Sequence, residues 1–203
     1  MKPKEIVISG YNKIYQDYDN KRTFHDRDNP FIRRFARYFH KNAKILDAGC
    51  GSGKISALLN SYGLYVVGID ISENMLKLAK KNVRKSRFYK MDIRKLTFRK
   101  NYFDGIISLY TIIHVPRKYH LSILSKFYKI LKPEGAMLIS VGINDSKLKI
   151  ENFHGARMYW SHFDKKKNSE LLRKVGFIIK WKKIVGSRHN RHQLIFVMKR
   201  RDK

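Results

Sequence analysis

Nine residues constrain this chain more than any others: Ile45-Leu46-Asp47-Ala48-Gly49-Cys50-Gly51-Ser52-Gly53. An apolar run ends in a carboxylate, and three glycines follow at alternate positions. The pattern predicts a strand running into a tight turn, with a helix opening at Ser52. Glycine supplies the unusual φ/ψ values such a turn needs and lets a ligand lie against the backbone. A second apolar run, Tyr65-Val66-Val67-Gly68-Ile69, ends in Asp70. Ser72 is then placed to cap a helix running to about Lys85, with Met75, Leu76 and Ala79 facing inward. Two successive strands thus end in an acid beside a helix start. Ligands of open α/β sheets bind at the carboxyl ends of strands, where Asp70 can accept hydrogen bonds from both hydroxyls of a ribose.

Further segments follow in order. Phe88-Tyr89-Lys90-Met91 leads to Asp92-Ile93, and Tyr102-Phe103-Asp104 precedes the run Gly105 to Leu109. Leu131-Lys132-Pro133-Glu134-Gly135 precedes the run Ala136 to Val141. Strands are expected near 44–48, 64–69, 87–91, 104–110, 136–142, 177–185 and 192–198, and helices near 30–41, 52–62, 73–85, 118–131 and 165–175. Leu121, Leu124, Phe127, Tyr128 and Leu131 share one face of the helix at 118–131. Alternating strands and helices indicate a parallel sheet covered on both faces. The short loop from Gly186 to Arg191 predicts that the last two strands form an antiparallel hairpin.

The glycine turn and the segments after it resemble the motifs of the class I S-adenosylmethionine-dependent methyltransferases, of the general small-molecule group. The likeness covers residues 43 to 142 well and the whole chain more loosely. A nicotinamide dehydrogenase would need G-x-G-x-x-G, and Lys54 stands where its third glycine would fall. The resemblance implies an α/β fold: a Rossmann-like, seven-stranded, mostly parallel sheet with helices on both faces and an antiparallel C-terminal hairpin. It implies S-adenosylmethionine as cofactor and S-adenosylhomocysteine as product. Gly49, Cys50, Gly51 and Gly53 would cradle the methionine end, with Asp47 orienting its amino group. Asp70 would hold the ribose and Ile71 would pack on the adenine. Asp92 would bind the adenine amino group, with Ile93 against the ring. Met75, Leu109 and Tyr18 would complete the cofactor site.

Three segments are expected to build the acceptor site. Tyr11, Tyr15 and Tyr18 recur at helical spacing in an N-terminal helical cap over residues 1–42, and resemble the family's tyrosine-rich entry segment. Tyr110 and His114 follow the fourth strand, where the family's loop lies beneath the reactive methyl. His114 is the candidate catalytic group, as base or orienter. Residues 143–164 form an insertion without clear periodicity, expected to be a lid. Its Tyr159, Trp160 and His162 are candidate substrate contacts, while Asp164 can cap the next helix. Leu109-Tyr110-Thr111-Ile112 replaces the Asn-Pro-Pro-Tyr type of motif, which argues against transfer to exocyclic adenine or glutamine amide nitrogens.

Composition bounds the rest. Two hundred and three residues suit a single domain spanning 1–203, and 43% apolar content argues for a folded chain. The longest apolar stretch is too short for a bilayer, and no apolar segment follows the N-terminal lysines as a secretory signal would require. One cysteine and no Cys/His metal spacing fit a reducing cytoplasm and a site without metal. The expected state is monomer or homodimer. Forty-five basic residues against 16 acidic give +29, of which +13 falls in residues 147–203. Such a surface attracts polyanions. The acceptor is therefore expected to be a small molecule, with RNA or a protein as the alternative. A non-catalytic nucleic-acid-binding protein on the same scaffold would have no use for the three aligned acids Asp47, Asp70 and Asp92.

Overall fold

The computed structural model describes residues 1–20, 24–187 and 190–201, excluding the side chains of 18–20, 24–27, 187 and 190. Two helices come first, α1 (Pro3–Asn20) and α2 (Phe24–Ala36). Then β1 (Lys44–Ala48), α3 (Lys54–Ser61), β2 (Tyr65–Asp70), α4 (Glu73–Asn82), β3 (Arg87–Lys90) and β4 (Phe103–Ser108) alternate. After them come α5 (His120–Ile130), β5 (Leu131–Val141), β6 (Ser146–Phe153), β7 (Ala156–His162), α6 (Lys165–Val175), β8 (Ile178–Ser187) and β9 (Asn190–Met198).

Seven strands form one sheet in the order β3-β2-β1-β4-β5-β9-β8. Strands β1 to β5 run parallel, while β9 pairs antiparallel with β5 and with β8. The expected Rossmann-like sheet with its reversed C-terminal hairpin is present. Adjacent residues of the central strands serve opposite faces, which is why these strands read as continuous apolar runs. Leu46, Ile106, Met137 and Ile139 pack with Phe127, Leu171 and Leu172 of α5 and α6. Ile45, Ile107 and Leu138 pack with Ile32, Phe35 and Leu59 of α2 and α3. Each such buried side chain contributes about 1.5–3 kcal/mol. A third cluster joins Ile6, Val7 and Ile14 of α1 to Met158 and Tyr159 of β7.

Several boundaries differ from expectation for identifiable reasons. The helix expected to open at Ser52 starts at Lys54, because Gly53 takes the left-handed conformation at its N-cap (φ 85°). Helix α2 lies earlier than 30–41 and holds Pro30 within it. Helix α5 is buried through His120, Ile123, Leu124, Phe127 and Ile130. Leu121 and Tyr128, expected on its inner face, are only partly buried. The largest difference is at 143–164, where the expected irregular lid is the two-stranded antiparallel sheet β6–β7. Its apolar alternation is faint because β6 presents Leu148 and Ile150 outward, 62% and 38% exposed. Pairing of β8 with β9 also continues to Ser187 and Asn190, through the expected loop.

Candidate active site

The carboxyl ends of β1, β2 and β4 open into a cavity of about 90 Å³. Gly49, Cys50, Gly51, Asp70, Ile71, Met75, Asp92, Ile93 and Leu109 all line it, as do Tyr11, Tyr110 and His114. Sequence reasoning missed other wall residues, including Val7, Ile55, Met91 and Thr111. Val7 was invisible because its place depends on how α1 crosses the sheet ends.

Backbone geometry explains the glycines. A Cβ on Gly49 (φ 86°) would lie 1.9 Å from Thr111 Oγ1. A Cβ on Gly51 would meet nothing within 4 Å, so the cradle is open there. Gly53 stands away from the cavity: its missing Cβ makes room for Ala79 of α4 and for Val83 just after that helix. Asp47 does not line the cavity. It is buried, and its Oδ2 accepts from Ser56 Oγ at 2.7 Å.

Asp70 is fixed by two main-chain donors. Its Oδ2 accepts from Gly51 N–H at 2.9 Å and its Oδ1 from Ser72 N–H at 2.8 Å. Burial raises its pKa above the usual carboxylate value, and these N–H groups oppose that rise. Burial works in the same direction on Asp92. There the Arg94 guanidinium, helped by Arg94 N–H and Lys4, wins and brings the carboxyl to about 2. Lys4 Nζ reaches Asp92 from α1 at 3.3 Å. Cys50 is a protonated thiol of the wall: burial, then Asp47 and Asp70, push its pKa well up.

A second cavity of about 550 Å³ adjoins the first. Tyr11, Tyr110 and His114 line both. Trp160 and His162 line the second, with Phe153, Lys149 and Glu151 from the hairpin and Arg191 and His192 from β9. Tyr15 and Tyr159 line neither cavity. Tyr159 is buried against α1 and contributes its carbonyl, which accepts from His114 Nδ1 at 2.8 Å. The Tyr18 side chain lies outside the described residues.

That carbonyl fixes the His114 tautomer. Nδ1 carries the proton, so Nε2 accepts from the Tyr11 hydroxyl at 2.9 Å. Burial lowers the His114 pKa to about 4, assisted by His162 and opposed by the Tyr159 carbonyl. His114 is therefore neutral at neutral pH and acts as a hydrogen-bond acceptor. The neighbouring His120, whose Nε2 donates to Val115 O, is brought to about 4 for the same first reason.

Residues 46–139 match the methyltransferase domain family. This segment is a class I, S-adenosylmethionine-dependent methyltransferase domain. The Bacillus subtilis protein YqeM, named as a methyltransferase, is 32% identical over 141 residues, covering 67% of this chain and 56% of that protein. Phosphoethanolamine N-methyltransferase 2 of Caenorhabditis elegans is 29% identical over 163 residues, covering 76% of this chain and 36% of that enzyme. The chain thus spans about half, or less, of the length of these relatives. The Burkholderia thailandensis 1,6-didemethyltoxoflavin-N1-methyltransferase, solved with its acceptor and S-adenosylhomocysteine, superposes with a TM-score of 0.76. It is 22% identical, covering 98% of this chain and 91% of that one, which makes it a likeness of fold.

The residues present fit S-adenosylmethionine as the domain's methyl donor. The open cradle at Gly51 gives a carboxylate or amino group close approach to the backbone. Asp70 keeps lone pairs for a pair of hydroxyls, and Asp92 offers an ionised acceptor to an exocyclic amine. Among the described residues no helix is long and apolar enough to cross a membrane. No group of three or more His, Cys, Asp or Glu there is arranged to hold a metal ion.

Proposed function

We propose that the protein transfers the methyl group of S-adenosylmethionine to an O, N or C atom of a small molecule, in the cytoplasm. The observation that carries this reading is the pair of cavities meeting at Tyr11, Tyr110 and His114. The second, at about 550 Å³, has the size of a small-molecule site. Helix α1 serves as the cap and the β6–β7 hairpin as the lid of one domain over residues 1–203.

Bound S-adenosylmethionine supplies a methyl already activated on a sulfonium, so the chemistry is an in-line displacement that needs alignment and exclusion of water. The chain's own residues provide both. Gly49 and Gly51 give the methionine end its cradle, Asp70 holds the ribose, and Asp92 with Ile93 holds the adenine. His114, locked by the Tyr159 carbonyl, orients the Tyr11 phenol at the neck where the acceptor enters. Trp160 lies against His114 with ring centroids 4.4 Å apart and closes the neck from the hairpin side.

A second reading, with RNA or an RNA-bound protein as acceptor, is favoured by the charge. Strand β8 is an edge of the sheet and exposes Lys180, Lys182 and Lys183. One experiment tests both. Purified protein with methyl-labelled S-adenosylmethionine is added to small-molecule, RNA and protein fractions of a cell extract. Label in the small-molecule fraction is the expected result. Label that vanishes with ribonuclease would replace it with the second reading. No binding of S-adenosylmethionine would remove both.

A further inference from the structure

Behind the expected acceptor-site residue Tyr110 lie two polar partners that sequence reasoning did not find. Tyr110 sits just past β4, on the wall common to both cavities. Its hydroxyl lies 2.5 Å from Asp28 Oδ2 and 2.6 Å from His192 Nε2. Asp28 comes from α2 and is fully buried; the His192 side chain, from β9, is 9% exposed. His192 Nε2 also lies 3.5 Å from Asp28 Oδ1. A carboxylate only accepts, so the phenol donates to Asp28 and its oxygen accepts from His192 N–H.

This arrangement is costly to build. A buried carboxylate carries a desolvation penalty that only close partners offset. Tyr110 also takes a left-handed backbone conformation (φ 58°), which costs a non-glycine residue on the order of 1–3 kcal/mol. Its N–H donates to Ser140 Oγ at 2.6 Å, which holds that conformation. An apolar side chain in place of Asp28 would fill the same space without that penalty. A single hydrogen bond would leave the ring free to swing; two partners from different elements fix the phenol at both sides. The costs converge on Tyr110, a ring on the wall shared by the two cavities.

We propose that Asp28 and His192 are positioning residues for methyl transfer: they pin the Tyr110 phenol as the wall between the two cavities and so set where the acceptor meets the methyl group. The inference rests on the methyltransferase reading above. Reacting atoms must approach within about 3–3.5 Å in line, and a misplacement of about 1 Å costs about 100-fold in rate. A loose Tyr110 therefore lowers kcat while leaving cofactor affinity in place.

The full chain tests this in two ways. The first uses S-adenosylhomocysteine as probe, followed by calorimetry and by NMR of isotope-labelled histidine. His192 does not line the cofactor cavity, so its imidazole signals are expected to shift on binding only because Tyr110 connects them. The shift is lost in Tyr110→Phe. The second uses the labelled acceptor fraction. Tyr110→Phe, Asp28→Ala and His192→Ala are each expected to lower kcat about 10- to 100-fold with S-adenosylhomocysteine affinity within about twofold. Adding His192→Ala to Tyr110→Phe lowers kcat no further, and His192→Gln, which keeps a donor, recovers most of the rate. If Asp28→Ala fails to fold, the His192 and Tyr110 variants decide. Binding of the probe without a His192 response, or additive losses in the double variant, overturns the proposal while the methyltransferase reading stands. No binding of the probe overturns that reading and this proposal with it.

Discussion

The two cavities are built in different ways. The carboxylates and glycines of the cofactor cavity come from short, contiguous pieces of chain, the turn after β1, the end of β2 and the turn after β3, while α1 and the loop after β4 wall both cavities. Each piece carries its carboxylate or glycine at a fixed offset from a strand end. The acceptor cavity is made by α1, the loop after β4, the β6–β7 hairpin and β9, elements up to about 180 residues apart in the chain. The first depends on local backbone geometry; the second depends on tertiary packing. Changes in the first should therefore act on cofactor affinity alone, and changes in the second on acceptor turnover and on stability.

The largest expected effect tests the first half of that contrast. Asp70→Ala leaves Gly51 N–H and Ser72 N–H without their acceptor and removes the proposed partner of the ribose. S-adenosylhomocysteine affinity should fall by at least about 100-fold, or about 3 kcal/mol, as expected when buried donors lose a charged partner. Circular dichroism should still report a folded chain. Unchanged affinity would show that the cofactor does not use the end of β2.

This contrast also explains what was legible in the sequence. The turn at Gly49 and Gly51, the acids at 70 and 92, and the capping Ser72 could be read because spacing alone places them. Gly53 and Asp47 belong to the same motif, yet they face α4 and Ser56. Spacing fixes a backbone path and leaves the direction of a side chain to its neighbours. The hairpin was hidden because β6 is exposed on most of its length and lacks a buried stripe. Asp28 and His192 lie 82 residues either side of Tyr110, and nothing near them in sequence marks them as a pair. Tyr159 was expected to contact substrate; its ring is buried against α1 and its carbonyl is what faces His114.

The second effect belongs to the acceptor half and depends on pH. His114 and His120 are buried and brought to about 4, below the value near 6.5 of an unfolded histidine. Between those values the unfolded chain binds more protons than the folded one, so stability rises with pH across that window. It is fully present above about pH 6.5 and is lost as pH falls toward 4. The upper bound is about 3 kcal/mol for each histidine. Melting temperature should climb between pH 4.5 and 6.5, and His114→Gln should flatten the climb by roughly half. An equally steep profile in that variant would place the proton-sensitive group outside the neck.

The smallest expected effect lies where the two halves touch. Lys4 of α1 reaches Asp92 at 3.3 Å, with 43% of the lysine side chain exposed. An ion pair this exposed is worth about 0–1 kcal/mol and weakens with salt. It nevertheless occupies the carboxylate proposed to receive the adenine amino group, while Arg94 keeps Asp92 ionised from the other side. Lys4→Ala should thus tighten S-adenosylhomocysteine binding by about two- to threefold at low salt, the size of a surface pair's contribution. The gain should vanish as salt rises, because screening already releases Asp92 in the unaltered protein. Weaker binding in Lys4→Ala would reverse the relation between the halves. It would mean that α1 holds the cofactor in through Lys4, so that the cap belongs to the cofactor cavity as much as to the acceptor cavity.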